Sequence, residues 1–272
     1  MTMRALLQHE VRLFFTALQF LTRVPVPRWV GFEPAWLQQS VRHFPLVGLL
    51  VGAVGAAVMG AAHWLWPDSI AAGLSMAATV LLTGAFHEDG FADTCDGLGG
   101  AVDRARALAI MKDSRIGSYG SVGLILMLGL KAAALAEWLH ASAGHALLLT
   151  LWTHMASRLA PLWIMQALPY AGDAEHAKAK PLATGIGRGG MLFALACVLL
   201  GAAGVVWIAP DLGMPLAGAA LAAALLCRAM QLWLDRRLGG FTGDTLGATQ
   251  QLAELTLLLV TLGLWTLAAR LA

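Results

Sequence analysis

The densest set of chemically capable side chains lies between Phe86 and Gly120, in FHEDGFADTCDGLGGAVDRARALAIMKDSRIGSYG. It leaves an apolar run and at once presents Glu88, Asp89, Asp93 and Asp96. The spacing of Asp89, Asp93 and Asp96, i, i+4, i+7, predicts a helix with three carboxylates on one face. Carboxylates so close repel unless something cationic sits among them. Magnesium takes hard oxygen ligands and is usually held by one or two carboxylates together with substrate phosphates. The spacing of the three aspartates therefore suits a metal–diphosphate site. Gly90, Gly97, Gly99 and Gly100 clear side chains from around the carboxylates and let backbone amides approach an anion, and the helix is expected to break near Gly97. A basic stretch follows, Arg104, Arg106, Lys112 and Arg115, with Asp103 and Asp113 interspersed. Such cations can neutralise a transferring phosphoryl group, and a nearby carboxylate can accept a hydroxyl proton. A plainer reading, that these charges only solvate a loop and pair with one another, serves Arg104 and Arg106 equally well. For the acids it is weaker, because stacking carboxylates beside a membrane span is costly without a compensating ligand.

The elements that must carry this segment are membrane helices. The chain has 272 residues, 58% hydrophobic and only 12% charged, with mean hydropathy +0.70, against about 25% charged in an ordinary soluble domain. Apolar runs bounded by charge or turn residues predict an all-α, polytopic transmembrane helix bundle of about seven spans, near 44–66, 70–87, 118–139, 145–168, 190–209, 213–234 and 250–270. Val11 to Leu21 is apolar but flanked by Arg12 and Arg23 and closed by Pro25 and Pro27, so an interfacial or re-entrant helix is expected there. The chain reads as one integral membrane domain, 1–272, with an N-terminal segment over 1–43 and an acidic segment over 88–117. The connections Pro67 to Ser69, Ala141 to Gly144 and Pro210 to Leu212 carry no Lys or Arg, while the others collect nearly all of them. The positive-inside rule then places the N-terminus and the three polar segments, 88–117, 172–189 and 235–249, on the cytoplasmic side.

Several features are excluded or secondary. A net charge of +2 with dispersed cations argues against nucleic acid as a partner. Cys95, Cys197 and Cys227 form no C-x-x-C pair and suggest neither zinc nor a disulfide framework. The first dozen residues lack the pattern of a removed signal peptide. Asp244 and Glu254 enter the last span, where Gln250 and Glu254 share a helix face; capping and dipole stabilisation are alternatives to a site role. Lys131, His154, Arg158 and Arg228 lie within spans, where pairing with Glu137, Glu254 or backbone carbonyls is expected. The loop from Asp173 to Arg188, with Lys178, Lys180, Gly185 and Gly187, can wrap a substrate or simply turn. Trp64, Trp66, Trp138 and Trp207 read as interface anchors.

With those residues in view, the sequence resembles the cobalamin synthase family, the adenosylcobinamide-GDP ribazoletransferases. The resemblance rests on His87 to Gly97 (HEDGFADTCDG) and Ile110 to Gly120 (IMKDSRIGSYG). It extends to Phe20 to Pro27 (FLTRVPVP), His43 to Gly48 (HFPLVG) and Gly243 to Ala248 (GDTLGA), covering the chain end to end. The family usually has an aliphatic residue where Glu88 stands and a small one where Cys95 stands. The resemblance implies attack by the ribose 3'-hydroxyl of α-ribazole, or of its 5'-phosphate, on the corrinoid-side phosphorus of adenosylcobinamide-GDP, with release of GMP. Mg2+ is the implied cofactor, held by Asp89, Asp93 and Asp96; Glu88 is an added carboxylate counted with these metal candidates, its place in the metal shell or at the interface left open. Asp103, Lys112, Asp113 and Arg115 are the expected catalytic residues, with Asp103 and Asp113 both open as the base. Arg23, Gly99, Gly100, Ser114, Asp244 and Glu254 are the expected substrate contacts. The implied setting is the bacterial inner membrane, with lipid around the bundle, the site facing the cytoplasm, and association into homo-oligomers left open. Two other classes fit less well. A CDP-alcohol phosphotransferase-like enzyme expects Ala-Arg after Asp-Gly-x-x, where Asp93-Thr94 stands, and a cation-coupled transporter expects its acids near the bilayer midplane.

Overall fold

The computed structural model describes residues 3–100, 103–172 and 184–271. Among them the chain is an all-α bundle: α1 (Met3–Leu21), α2 (Pro34–Ser40), α3 (Phe44–His63), α4 (Asp68–Thr83), α5 (Phe86–Gly100), α6 (Arg104–Met111), α7 (Ser118–Ala141), α8 (Ala143–Ala156), α9 (Leu159–Ala167), α10 (Arg188–Ile208), α11 (Gly213–Leu238) and α12 (Gly243–Leu271). The described residues contain no strand, only an isolated bridge between Tyr170 and Phe241.

Five of the described segments are long and apolar enough to cross a bilayer: Pro34–His63, Ser118–Ala141, Arg188–Ile208, Pro210–Leu238 and Gly243–Leu271. The number rises to six if α4 and α5 are counted as one broken span. Seven were expected, and the difference has two local causes. The run expected over 145–168 is two helices, α8 and α9, interrupted at Ser157 and Arg158. The run expected over 70–87 ends at Thr83, where Gly84 (φ 69°) and Ala85 (φ 58°) take left-handed backbone and turn the chain through 90° into α5. Left-handed backbone at a residue with a Cβ costs about 1–2 kcal/mol, so this elbow is held by its surroundings. Arg23 contributes, donating its backbone N–H to the Leu82 carbonyl at 2.8 Å.

The N-terminal helix is longer than its apolar core, running from Met3 to Leu21. It buries Leu13, Thr16, Ala17, Leu18 and Leu21 against the rest of the bundle. Glu10 ties it to the chain ahead of α3, accepting from Arg42 at 2.5 Å and lying 3.2 Å from His43. Helix α3 packs on α8 through a ridge of small residues; a Cβ added at Gly52 would lie 2.8 Å from the Thr150 carbonyl oxygen and 3.0 Å from Leu151 Cα. Small residues of this kind let membrane helices approach backbone to backbone. Of the tryptophans expected at the membrane surface, Trp64, Trp66 and Trp207 are exposed. Trp138 is fully buried against Trp265 and His145, because α7 turns that face to the core.

The α3–α8 contact is directly testable. Gly52→Leu overpacks it, at a cost of about 1–3 kcal/mol. Its melting temperature in detergent is expected to fall clearly below that of Gly129→Leu, a position with open space around it. Equal melting temperatures would contradict the packing.

Candidate active site

Helix α5 brings the acids to the polar end of the bundle, and a glycine decides how near they come to α12. A Cβ at Gly90 would stand 2.9 Å from both Cα and the carbonyl oxygen of Asp244, so only glycine allows α5 to lie directly on the first turn of α12. That turn is fixed by a reciprocal pair: the Thr242 N–H donates to Thr245 Oγ1 at 2.9 Å, and the Thr245 N–H donates to Thr242 Oγ1 at 3.3 Å. Asp244 sits inside it, where the helix dipole favours an anion. Asp89 and Asp93, one helical turn apart, share the side of α5 next to Asp244, and Asp93 lies within electrostatic reach of both Asp244 and Asp89. Asp89 is exposed, and Asp93 and Asp244 are half-buried.

The other two acids turn inward. Asp96 is buried at the start of α7, accepting the Gly117 N–H at 2.7 Å and the Gly120 N–H at 2.8 Å, one on each carboxylate oxygen. It thereby supplies the acceptor that a helix N-terminus lacks. Glu88 leaves the acidic face and meets Gln251 on α12. The expected break near Gly97 does not occur. The helix runs on to Gly100, and Gly97 serves instead to admit Met111 of α6, whose Cε a Cβ would meet at 2.9 Å. Gly99 and Gly100 lie beside the Tyr119 ring.

The basic segment forms α6 and the turn after it. Asp103 is the N-cap of α6, accepting the Arg106 N–H at 2.8 Å. Arg104 is spent on carbonyls, donating to Leu238 at 2.7 Å and Ala171 at 3.0 Å, which ties α6 to α11 and to the segment after α9. In the turn, Lys112, Ser114 and Arg115 are exposed. Arg115 pairs with Asp113 at 2.6 Å, and these hydrogen bonds hold the Asp113 carboxyl down at about 2. A carboxylate so stabilised is a poor proton acceptor near neutrality. Arg23 is exposed at the α4–α5 elbow, beside Gly84. Lys178 and Lys180 lie outside the described residues. Of their loop, the Gly185 carbonyl and the Thr184 N–H are held by Gln38.

The donor chemistry suits a hard divalent cation. Among the described residues no three His, Cys, Asp or Glu side chains close on a single point, so the protein does not build a complete cage. Magnesium rarely requires one, since phosphates and water commonly complete its shell. Asp89, Asp93 and Asp244 offer oxygen donors from two helices and leave their repulsion for a cation to relieve.

Residues 13–262 match the protein family described as cobalamin-5-phosphate synthase. The chain belongs to that family. It is 55% identical over 262 residues to the adenosylcobinamide-GDP ribazoletransferase of Leptothrix cholodnii, covering 96% of this chain and 99% of the relative. The proteins of that name from Albidiferax ferrireducens and Shewanella amazonensis are 43% and 42% identical, covering 90% and 95% of this chain and 95% and 98% of theirs. No solved structure matches the chain.

Beneath its acidic face this family member carries a second polar cluster that the sequence reveals only as scattered charges. Lys131 and Glu254, 5% and 2% exposed, form an ion pair of 2.6 Å between α7 and α12. Arg158, 2% exposed, donates to the His154 carbonyl at 2.6 Å. The expected internal pairing of Lys131 and Arg158 is what is found, whereas Arg228 and Glu137 are exposed. Glu254 is therefore held inside the bundle, one partner of a buried pair. Removing either partner of such a pair leaves an uncompensated charge, at about 3–5 kcal/mol.

Asp96 gives the sharpest test of the local architecture. Asp96→Ala leaves two amides at the head of α7 without acceptors, each worth about 1–3 kcal/mol when buried. A melting temperature in detergent well below that of the wild type is expected; an unchanged one would show that Asp96 does not hold α7.

Proposed function

We propose that this chain joins adenosylcobinamide-GDP to α-ribazole or its 5'-phosphate, yielding the cobalamin product and GMP, at the face formed by Asp89, Asp93 and Asp244. One observation carries the placement: Gly90 allows an acidic helix and the acidic first turn of a distant helix to share one open face. The named activity of relatives up to 55% identical over nearly the full chain supports the reaction.

In the reaction the ribose hydroxyl oxygen forms the new bond to the corrinoid-side phosphorus. The bond from that phosphorus to the bridging oxygen breaks, and GMP departs with the bridging oxygen. Asp89, Asp93 and Asp244 are the residues that would hold Mg2+, which when bound would supply charge neutralisation and a lowered hydroxyl pKa. The same three carboxylates set where on the open face the diphosphate would be oriented. With Asp103 capping α6 and Asp113 held by Arg115, the hydroxyl proton passes to a carboxylate of the open face. Lys112 and Arg115, on the exposed turn leading into α7, offset charge on the transferred group. Arg23, at the elbow before α5, and Ser114 are assigned to the substrate's polar groups.

The same reading puts the acidic face on the cytoplasmic side of the bacterial inner membrane. It is supported by the clustering of Lys and Arg in the connections at that end and their absence from Pro67 to Ser69, Ala141 to Gly144 and Pro210 to Leu212.

Detergent-purified protein given adenosylcobinamide-GDP and α-ribazole is expected to release GMP and cobalamin in equal amounts with magnesium, and neither after chelation. Asp93→Asn is expected to lower turnover by about 10²–10³-fold, the scale of losing one electrostatic stabiliser at a reacting centre, with its melting temperature kept. Product without magnesium, or full activity in Asp93→Asn, would overturn the proposal.

A further inference from the structure

Glu88 follows directly from the geometry of the buried cluster, and its direction is the informative part. It precedes Asp89 in sequence, yet its side chain points away from the acidic face and into the bundle, where Gln251 Nε2 donates to Glu88 Oε1 at 2.9 Å. Gln251 Oε1 in turn accepts from Lys131 Nζ at 3.0 Å, and Lys131 pairs with Glu254. Gln250 Nε2 donates to the other Glu254 oxygen at 2.7 Å and to Ser157 Oγ at 2.9 Å. The chain of contacts thus runs from α5 through α12 and α7 to the α8–α9 junction. Its formal charges cancel, Glu88 and Glu254 against Lys131 and Arg158, so the cluster needs no further ion.

What it lacks is hydrogen bonds. Glu88 Oε2, Gln250 Oε1, Arg158 Nε and His154 Nδ1 are buried without hydrogen-bond partners. All four residues line one small cavity, together with Thr79 and Thr83, that leaves about 10 Å³ for the centre of a water molecule. That is about the least space that admits one buried water, and such waters bind two to four polar groups.

We infer that Glu88 is a positioning residue, tied through this buried network to α12, α7 and α8 so that α5 holds Asp89 and Asp93 against Asp244. The inference rests on the acidic face being the reaction site. A neutral amide at position 88 can keep the Gln251 contact; an apolar side chain cannot. Glu88 acts through α5, and its loss changes how that helix is held before it changes any contact to substrate.

The test uses the full chain in detergent, with hydrogen exchange over residues 86–100 read beside turnover. Glu88→Gln is expected to keep turnover within about threefold of wild type and to keep α5 protected, whereas Glu88→Leu and Gln251→Leu lose about 10–100-fold, the usual scale for groups that orient ligands. In both leucine variants α5 amides exchange faster while those of α3 keep their protection. KM values change less than kcat. Two outcomes would overturn the inference: a loss in Glu88→Gln as deep as in Asp93→Asn with α5 exchange unaltered, which marks direct contact with the reacting groups, or unaltered exchange in Glu88→Leu. Exchange is read without substrates, so an inactive wild type would refute the proposed reaction and leave this test standing.

Discussion

Helix α5 lies on the first turn of α12 with no side chain between them at Gly90, and the polar end of the bundle is organised around that approach. The Thr242–Thr245 pair fixes where α12 begins, and the Gly84–Ala85 elbow fixes the direction from which α5 arrives. Those two constraints bring Asp89, Asp93 and Asp244 within electrostatic reach of one another. Their repulsion is an unfavourable term that folding tolerates, and in the proposed reaction a cation bound with a diphosphate would relieve it. A site that remains destabilised until ligand arrives is well suited to stabilise charge that builds in a reaction.

The rest of the polar end supports that geometry by giving several nearby charged groups partners of their own. Asp96 is committed to the amides of α7, Asp113 to Arg115, Asp103 to the cap of α6 and Arg104 to the carbonyls of Ala171 and Leu238. Deeper in the bundle, Lys131 and Glu254 are paired, and Glu88 is joined to them through Gln251. Of six acids between positions 88 and 113, only Asp89 and Asp93 keep the open face, and Asp244 joins them from elsewhere in the chain.

Much of this was legible in the sequence. The bundle followed from composition and the run of apolar segments, and the acidic segment from carboxylates directly after an apolar run. The i, i+4 relation of Asp89 and Asp93 was correct because it is a property of the helix itself. Other features depend on tertiary contacts that spacing does not encode. The i+7 partner Asp96 shares the helix face in projection, yet the bare amides of Gly117 and Gly120 draw it to α7. Gly97 reads as a breaker but is a notch for Met111. The elbow at Ala85 was hidden because left-handed backbone at alanine has no sequence signal, whereas the split between α8 and α9 at Ser157 and Arg158 has one in Pro161, which has no N–H to donate to the Ser157 carbonyl and interrupts the otherwise mostly apolar run. Glu88 sits among site residues in sequence and faces away from them in space, a direction set by Gln251.

Asp89, Asp93 and Asp244 are proposed to share one divalent-cation site across two helices. Manganese, which substitutes for magnesium at oxygen sites and is visible by electron paramagnetic resonance, tests it without any substrate. Titrating Mn2+ into the detergent-solubilised protein is predicted to show bound metal in the wild type, with affinity reduced to a similar degree in Asp93→Asn and in Asp244→Asn. Unchanged binding in Asp244→Asn beside loss in Asp93→Asn would contradict the shared site and confine the metal to α5.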